Sequence, residues 1–131
     1  MLTRPLNGTR VLDLSRVLAG PLAAMILGDF GADVIKIERS GAGDESRTWG
    51  PPFDGRGESA YFLSCNRNKL SLAVDLDLEE DRALVRRLVA GADVVLDNFR
   101  PGMLEARGLD PSEPSAWEVS AYSCCLRPIR F

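Results

Sequence analysis

Three arginines lie in or beside loops that follow apolar runs of the sequence: Arg16, Arg39 and Arg100. A guanidinium group can bind phosphate oxygens through two parallel hydrogen bonds, so arginine suits phosphate recognition. Pro21 follows the first of these loops and favours the first turn of a helix. The free N–H groups and the positive dipole at such a helix start favour an anion. These residues together predict a phosphorylated ligand.

The composition excludes several kinds of catalysis. The chain contains no histidine, so it cannot form a Ser-His-Asp or Cys-His arrangement or a histidine-dependent zinc motif. Its three cysteines, Cys65, Cys124 and Cys125, are too few for a closed zinc site, and their odd number does not suit a disulfide framework. We expect reduced thiols. Any catalysis must use carboxylates, Lys, Tyr, Ser or Cys, or residues outside this sequence.

The elements that would position the arginines are indicated by apolar runs alternating with helical patterns. Strands are predicted at residues 9–14, 32–38, 70–76 and 92–98. One short helix follows Pro21, ends at Gly31 and is expected to be well buried. A second helix is predicted to open with a capping box of Asp77 and Glu80 and to end at Gly91. Its apolar face consists of Leu84, Val85, Leu88 and Val89. We therefore predict an α/β fold with a Rossmann-like parallel sheet and flanking helices.

The connecting segments place the three arginines at one edge of that sheet. Loops at 15–20, from 39 onward and at 98–102 follow strands, and ligands of such folds bind at the carboxyl ends of strands. Residues 39–59 are too rich in Gly and Pro for a helix or central strand over their length. Within them, Trp49 and Phe53 indicate that the loop packs against something. Residues 60–69 fit either a helix turn or a strand.

A nicotinamide dinucleotide is one alternative ligand. Glu38 ends the second strand about 20 residues after the first turn, where a ribose-binding acid would lie. However, the turn supplies only Gly20 where three glycines are wanted, and Leu22 and Ala23 would crowd a pyrophosphate. NAD is therefore disfavoured. A simpler alternative is that Gly20 and Pro21 only make a tight turn and that Glu38 is a solvated strand end.

Three segments together indicate a protein family more specifically than any one of them does alone. They are "LNGTRVLDLSRVLAGPLAAMILGDFGADVIKIERSGAGDESRTWGPPF", "YFLSCNRNKLSLAVDL" and "GADVVLDNFRPGMLEARGL". In order and spacing they resemble the N-terminal part of the family III CoA-transferases, which include formyl-CoA transferase and α-methylacyl-CoA racemase. The resemblance covers nearly all of residues 6–109. "GDESRTWGPPF" and "NRNK" are similar to the dicarboxylate branch that includes succinate–hydroxymethylglutarate CoA-transferase.

The resemblance implies that the ligand is coenzyme A, bound as an acyl-CoA substrate, with no metal. The residues that it implies for CoA binding are Val17, Leu18, Ala19, Arg39, Val74, Asp75, Leu76, Asn98 and Phe99. Among these, Arg39 would meet the nucleotide phosphates. Core packing is the alternative role for the three valine and leucine side chains at 17, 74 and 76, and a strand-end turn is the alternative for Asp75. Some members have an arginine where this chain has Ala106, with Arg107 beside it.

Family members transfer CoA between carboxylic acids through an aspartate nucleophile, which divides the transfer into easier steps. No aspartate of this chain matches that residue, so the resemblance implies no catalytic residue here and no transferase activity by the chain alone. Asp13, Asp75 and Asp97 lie near strand ends, and we expect solvated or capping carboxylates. The alternatives are a racemase-type isomerase, which needs an acid/base pair, and a non-catalytic CoA-binding remnant.

The sequence changes character after residue 109. We assign residues 1–109 to the CoA-binding part and 110–131 to an unmatched tail, expected to continue neither a helix nor a strand and to reflect truncation or a frame shift. The net charge of -3 indicates neither nucleic acid nor a membrane as partner. The N-terminus lacks a secretion signal, which favours the cytoplasm, or the mitochondrial matrix if a presequence is missing. The family's interlocked homodimer uses parts that this sequence does not match.

Overall fold

The computed structural model describes residues 4–109 and the backbone of a strand at residues 122–125. Its strands are β1 (Arg10–Asp13), β2 (Asp33–Arg39), β3 (Lys69–Val74), β4 (Val94–Asp97) and β5 (Tyr122–Cys125). Its helices are α1 (Ala19–Asp29), α2 (Ala60–Asn66) and α3 (Glu79–Ala90), with 3₁₀ turns at Glu45–Thr48 and Glu105–Arg107. All strand pairs are parallel, which confirms the predicted α/β fold.

The strand order is β3-β2-β1-β4-β5. Strand β1 lies in the middle and pairs with β2 on one side and with β4 on the other. The connections therefore run in opposite directions from β1, and the carboxyl ends of β1 and β4 form a topological switch point. Ligands of open parallel sheets bind in the crevice at such a point.

The two faces of the sheet are different because successive side chains of a strand point to opposite sides. We call the side on which Leu12 and Ile37 pack against Val85 of α3 the α3 face. The opposite side, on which Val11 and Val34 pack with residues of α1, is the α1 face. Both faces contribute buried core, but their polar content differs, as described below.

Helix α1 differs from prediction in its burial. Pro21 lies in its first turn and Gly31, with a φ of 104°, follows its end, as predicted. The expectation that the helix is well buried was wrong on one side. Leu22, Ile26 and Phe30 are 38%, 44% and 52% exposed, because within the described residues only the opposite side of the helix packs on the sheet.

Helix α3 confirms the predicted apolar face but not the predicted capping box. Val85 and Val89 are completely buried. The helix begins one residue later than the box requires, with Leu78 at the N-cap position. The Asp77 carboxylate instead accepts hydrogen bonds from Arg107. The Asp77 side chain therefore forms a tertiary ion pair instead of the helix cap that the local pattern predicted.

The segment between β2 and α2 is a loop, as predicted, apart from its short 3₁₀ turn. Trp49 packs edge-on against Tyr61 with ring centroids 5.1 Å apart, whereas Phe53 is half-exposed. The undecided stretch after it is helix α2, whose first N–H groups are capped by the Ser59 hydroxyl. Cys65 within that helix is a free thiol, as expected.

Strand β5 corrects the prediction for the region after residue 109. Tyr122–Cys125 pairs in parallel with β4, from Val94↔Tyr122 to Asp97↔Cys125. The expectation that no strand continues the sheet there was therefore wrong. The sequence of β5 shows no alternation of apolar and polar residues that would predict a strand. It is identified as a strand by its pairing with the edge of β4.

Candidate functional site

A cleft of about 290 Å³ opens at the carboxyl ends of β1 to β4. Its walls are apolar and include Leu14, Val74, Leu76, Phe99, Met103 and Leu104. Four cationic residues, the buried Lys36 and the arginines Arg16, Arg39 and Arg107, also line it. Four acidic residues, Glu38, Asp44, Asp75 and Asp77, complete its charged lining. Apolar walls combined with placed polar groups are the usual form of a small-ligand site.

The structure brings together five of the nine residues that the resemblance implies for CoA binding. These are Arg39, Val74, Asp75, Leu76 and Phe99, which all line the cleft. They lie at or just after the ends of β2, β3 and β4, and the parallel sheet brings these strand ends to one edge. Core packing, the alternative role for Val74, is also observed, since this side chain is 2% exposed and belongs to the apolar cluster.

The other four predicted residues lie at the same edge of the sheet but do not line the cleft. Val17, Leu18 and Ala19 form the turn between β1 and α1, and Leu18 is 44% exposed. Asn98 follows β4 and uses its amide within the protein. Its Oδ1 accepts a hydrogen bond from the Arg16 N–H at 2.9 Å, and its Nδ2 donates to the Arg16 carbonyl at 2.7 Å. Asn98 thereby joins β1 to β4 across the switch point.

The arginines of the site differ in their partners. Arg16 pairs with Glu45 at 2.6 Å and lies 5.1 Å from the centroid of the Phe99 ring. Arg107 pairs with Asp77 at 2.8 Å. Arg39 is exposed at the cleft and forms no ion pair within residues 4–109. Of the guanidinium groups that line the cleft, Arg39 is therefore the one best placed to bind a new anion.

The turn between β1 and α1 has an unusual backbone. Val17 has a φ of 71°, a left-handed conformation that is uncommon for a β-branched residue. Gly20 is required for packing rather than for its φ angle. A Cβ atom there would lie 2.2 Å from the Cβ atom of Ser15, so a glycine lets the first turn of α1 approach the end of β1.

Behind this turn, the α1 face buries two ion pairs that sequence reasoning missed. Lys36 and Asp44 approach to 3.0 Å with side chains 2% and 1% exposed. Lys69 and Asp13 approach to 2.9 Å and are equally buried. Burial lowers the pKa of Lys69, although the Asp13 carboxylate acts to raise it. The available signal was Lys36 itself, a lysine between the two isoleucines of a predicted strand, because a buried lysine needs a partner.

The alternative that Glu38 is a solvated strand end was wrong, because Glu38 is 5% exposed. Its carboxylate is engaged within the protein rather than free for the disfavoured ribose-binding role. Its buried carboxylate accepts hydrogen bonds from Arg47, from the Ser71 hydroxyl and from the Asp44 N–H. Burial acts to raise the pKa of Glu38, but these hydrogen bonds outweigh it and lower the pKa to about 2. Glu38 therefore fastens the following loop to the sheet.

Each of the three strand-end aspartates accepts a hydrogen bond from the N–H two residues later, as a capping carboxylate does, but only Asp75 is also partly solvated. Asp75 is partly exposed and accepts a hydrogen bond from the Asp77 N–H at 3.0 Å, as in a strand-end turn. Asp13 and Asp97 are instead 0% and 4% exposed. Burial raises the pKa of Asp97, against a hydrogen bond from the Phe99 N–H.

Within residues 4–109, no three or more His, Cys, Asp and Glu side chains are grouped as metal ligands would be. Over the same part of the chain, no helix combines the length and the apolar character needed to cross a bilayer.

The model of CoA-transferase family III matches residues 6–118. The chain belongs to this family. The match continues beyond residue 109, and the division of the chain at that residue stays a prediction. The family III assignment also agrees with the geometry, because the cleft is formed by segments that carried the resemblance.

Named relatives confirm the resemblance to dicarboxylate transferases. The chain is 56% identical over 106 residues to human succinyl-CoA:glutarate CoA-transferase, covering 81% of the chain and 24% of that protein. It is 53% identical over 111 residues to succinate–glutarate CoA-transferase of Agrobacterium fabrum, covering 81% of the chain and 28% of that protein.

Solved structures of this family confirm the fold. A CAIB/BAIF family protein from Brucella suis superposes with a TM-score of 0.88 at 49% identity, over 95% of the chain and 33% of that protein. The chain thus spans about a quarter to a third of the length of the relatives that it matches.

Proposed function

We propose that this chain supplies the CoA-binding part of an enzyme that transfers CoA between an acyl-CoA and a small dicarboxylic acid. The observation that carries the proposal is the meeting of Arg39, Val74, Asp75, Leu76 and Phe99 in one cleft. The dicarboxylic substrate is suggested by the succinate and glutarate in the names of the two relatives.

The proposed binding mode follows from the chemistry of the cleft. Leu76 and Phe99 offer apolar surface to the flat adenine ring, and aromatic side chains stack well on bases. Arg39 donates hydrogen bonds to the phosphates. CoA is longer than this cleft, so we place the rest of the molecule along the adjoining turn at Val17, Leu18 and Ala19. In this proposal Asn98 holds that turn through Arg16.

Isothermal titration of the 131-residue chain with CoA tests the role of Arg39. Because one hydrogen bond to a charged group contributes about 1.5–3 kcal/mol, Arg39→Ala is expected to weaken binding at least about tenfold. Arg56→Ala is the matched control, since Arg56 is 80% exposed and does not line the cleft. If both variants bind as the wild type does, Arg39 is not a phosphate ligand.

A second titration tests the apolar wall. Phe99→Ala should weaken CoA binding, whereas Phe53→Ala, which removes a half-exposed phenylalanine outside the cleft, should not. NAD serves as the competing ligand. Binding of NAD as tight as that of CoA, or no CoA binding by a folded wild-type chain, would overturn the proposed function.

The reaction itself is proposed to need residues beyond those of this chain, since no aspartate here matches the family nucleophile. The 131-residue chain mixed with succinyl-CoA and glutarate should form no glutaryl-CoA on chromatographic analysis. Formation of glutaryl-CoA would show that the chain contains its own nucleophile. An interlocked homodimer and a location in the cytoplasm or mitochondrial matrix also stay predictions.

A further inference from the structure

The turn after β1 is held in a conformation that its own sequence does not favour. A left-handed valine costs free energy and persists only where the surroundings impose it. The peptide groups of this turn are bound mainly by side chains from other elements. Asn98 binds both backbone groups of Arg16, and the Cys65 thiol lies 3.7 Å from the Val17 carbonyl oxygen.

The buried Lys36–Asp44 pair acts on the same turn from beneath. The Lys36 Nζ donates to the Ser15 carbonyl oxygen at 2.8 Å. The two Asp44 carboxylate oxygens lie 3.3 and 3.4 Å from the Val17 N–H. The pair therefore contacts the backbone on each side of Arg16, at the position where the chain enters its left-handed conformation.

Asp44 is itself fixed, so it can transmit this constraint. Its Oδ1 accepts hydrogen bonds from the Ser46 N–H at 2.9 Å and from the Ser46 hydroxyl at 2.7 Å. The Asp44 N–H donates to Glu38 at 3.0 Å. The carboxylate thus joins the loop after β2 to the turn after β1, and Lys36 ties both to the centre of β2.

We infer that Lys36 and Asp44 are a positioning pair that imposes the left-handed Val17 turn and so prepares it for the ligand. The identity of that ligand as CoA rests on the proposed function, whereas the constraint on the turn does not. Both residues border the cleft, but their side chains are 2% and 1% exposed and bind the backbone of residues 15–17, so they act through that backbone. A turn already held in its bound form spares the ligand the cost of ordering it.

Amide hydrogen exchange by NMR tests the constraint without any ligand. Asp44→Ala should speed exchange at Ser15, Arg16 and Val17 by at least about tenfold, while exchange in the middle of α3 stays unchanged. Asp44→Asn keeps an acceptor for the Val17 N–H and should have a smaller effect, and it provides a second variant if the alanine variant does not fold. Unchanged exchange in the turn would overturn the inference.

Val89→Ala controls for a general loss of stability, since Val89 is completely buried on the inner side of α3 and away from the turn. This variant should lower the melting temperature without a selective change at residues 15–17 and without a change in CoA affinity. If Asp44→Ala behaves like Val89→Ala, with exchange raised throughout the molecule, the pair is merely structural and the inference fails.

A double-mutant cycle on the Kd for CoA tests the link to the ligand. Asp44→Ala should weaken binding about tenfold or more in the wild-type background. In the Val17→Gly background the same change should weaken binding less than about threefold, because glycine adopts positive φ at no steric cost. Equal effects in the two backgrounds, or faster exchange with unchanged affinity, would overturn the positioning role.

The two proposals can fail separately. If the folded wild type does not bind CoA, the proposed function falls and the exchange experiment still decides whether the pair holds the turn. If the wild type binds CoA and Asp44→Ala binds equally well, the proposed function stands and the positioning role falls.

Discussion

The two faces of the sheet are built from the same strands but stabilised in different ways. On the α3 face, the buried side chains of β2 are apolar, as at Ile37, and they join one hydrophobic cluster with Val85 and Val89. On the α1 face, β2 contributes the apolar Val34 and also Lys36 and Glu38, which are buried and ionic. One strand thus contributes hydrophobic burial to both sides and adds directed charge–charge contacts on only one.

The difference corresponds to different roles. Apolar burial is non-directional and stabilises the sheet without fixing a particular loop conformation. Charged side chains bind particular backbone groups, and those of the α1 face reach the Ser15 carbonyl and the Asp44 N–H. Both of these lie in the loops at the carboxyl edge, where the cleft opens. The α3 face therefore stabilises the sheet without directing the loops, whereas the charged side chains of the α1 face also set the shape of the site.

The largest expected effect comes from breaking a buried pair. Lys36→Met leaves the Asp44 carboxylate buried without its cation, which should lower the free energy of unfolding by about 3–5 kcal/mol. Ile37→Val, the next residue on the opposite face, should cost about 0.5–1.5 kcal/mol. Urea unfolding followed by circular dichroism measures both. A smaller loss for Lys36→Met than for Ile37→Val would contradict the contrast between the faces.

The next effect concerns the apolar cluster. Leu12 is 2% exposed in the central strand, and Leu12→Ala should cost about 2–5 kcal/mol by opening a cavity. Leu70→Ala is the control, because Leu70 is 71% exposed on an edge strand and should change stability by no more than about 0.5 kcal/mol. Comparable losses for the two variants, again by urea unfolding, would show that the cluster is not the main source of stability.

The pH dependence of stability tests the ionic face at Glu38. Its pKa in the folded state is about 2, below the ordinary 4.5, so the ionised group stabilises the fold above pH 4.5 and this contribution is lost as the pH falls toward 2. The contribution is about 3 kcal/mol. Glu38→Gln should flatten the decline in unfolding free energy between pH 5 and pH 2. The exposed control Glu80→Gln should leave the wild-type profile intact, and an unchanged profile for Glu38→Gln would exclude this role.

The smallest effect is a gain in stability at the start of α3. Leu78 occupies the N-cap position with extended backbone and offers no side-chain acceptor. Leu78→Ser supplies one and should raise the unfolding free energy by about 0.5–2 kcal/mol. Leu78→Ala is the matched control without an acceptor. A serine variant no more stable than the alanine variant would mean that this helix start is satisfied in another way.

The sequence predicted the parts of the fold that depend on local pattern. The apolar runs identified β1 to β4, and helical periodicity identified the buried face of α3 at Val85 and Val89. The pattern could not reveal tertiary choices. It assigned Asp77 to a helix cap, but Arg107, thirty residues later, binds that carboxylate. It also could not show that Leu22 and Ile26 lie on the side of α1 that no described element covers.

The site was predicted only in part, for a related reason. Arg39 was predicted to bind phosphate from its position at a strand end and from the resemblance, and the structure places it at the cleft, while its role stays a prediction. The left-handed Val17 was not predicted, because a β-branched residue argues against that conformation and the forces that impose it come from Asp44 and Asn98, which are distant in sequence. Likewise, Glu38 is engaged within the protein rather than solvated because Arg47, in the following loop, donates hydrogen bonds to its carboxylate.

The position of β1 in the sheet has a consequence for synthesis on the ribosome. β1 can pair with β2 once residue 39 has emerged, but its other neighbour, β4, ends only at residue 97. At about 5–20 residues per second, the second edge of the central strand stays open for roughly 3–12 s after the first is closed. During that interval the nascent chain carries an unpaired apolar strand edge, which is a template for wrong pairing. Wrong pairing during synthesis is therefore most costly in the interval before β4 arrives.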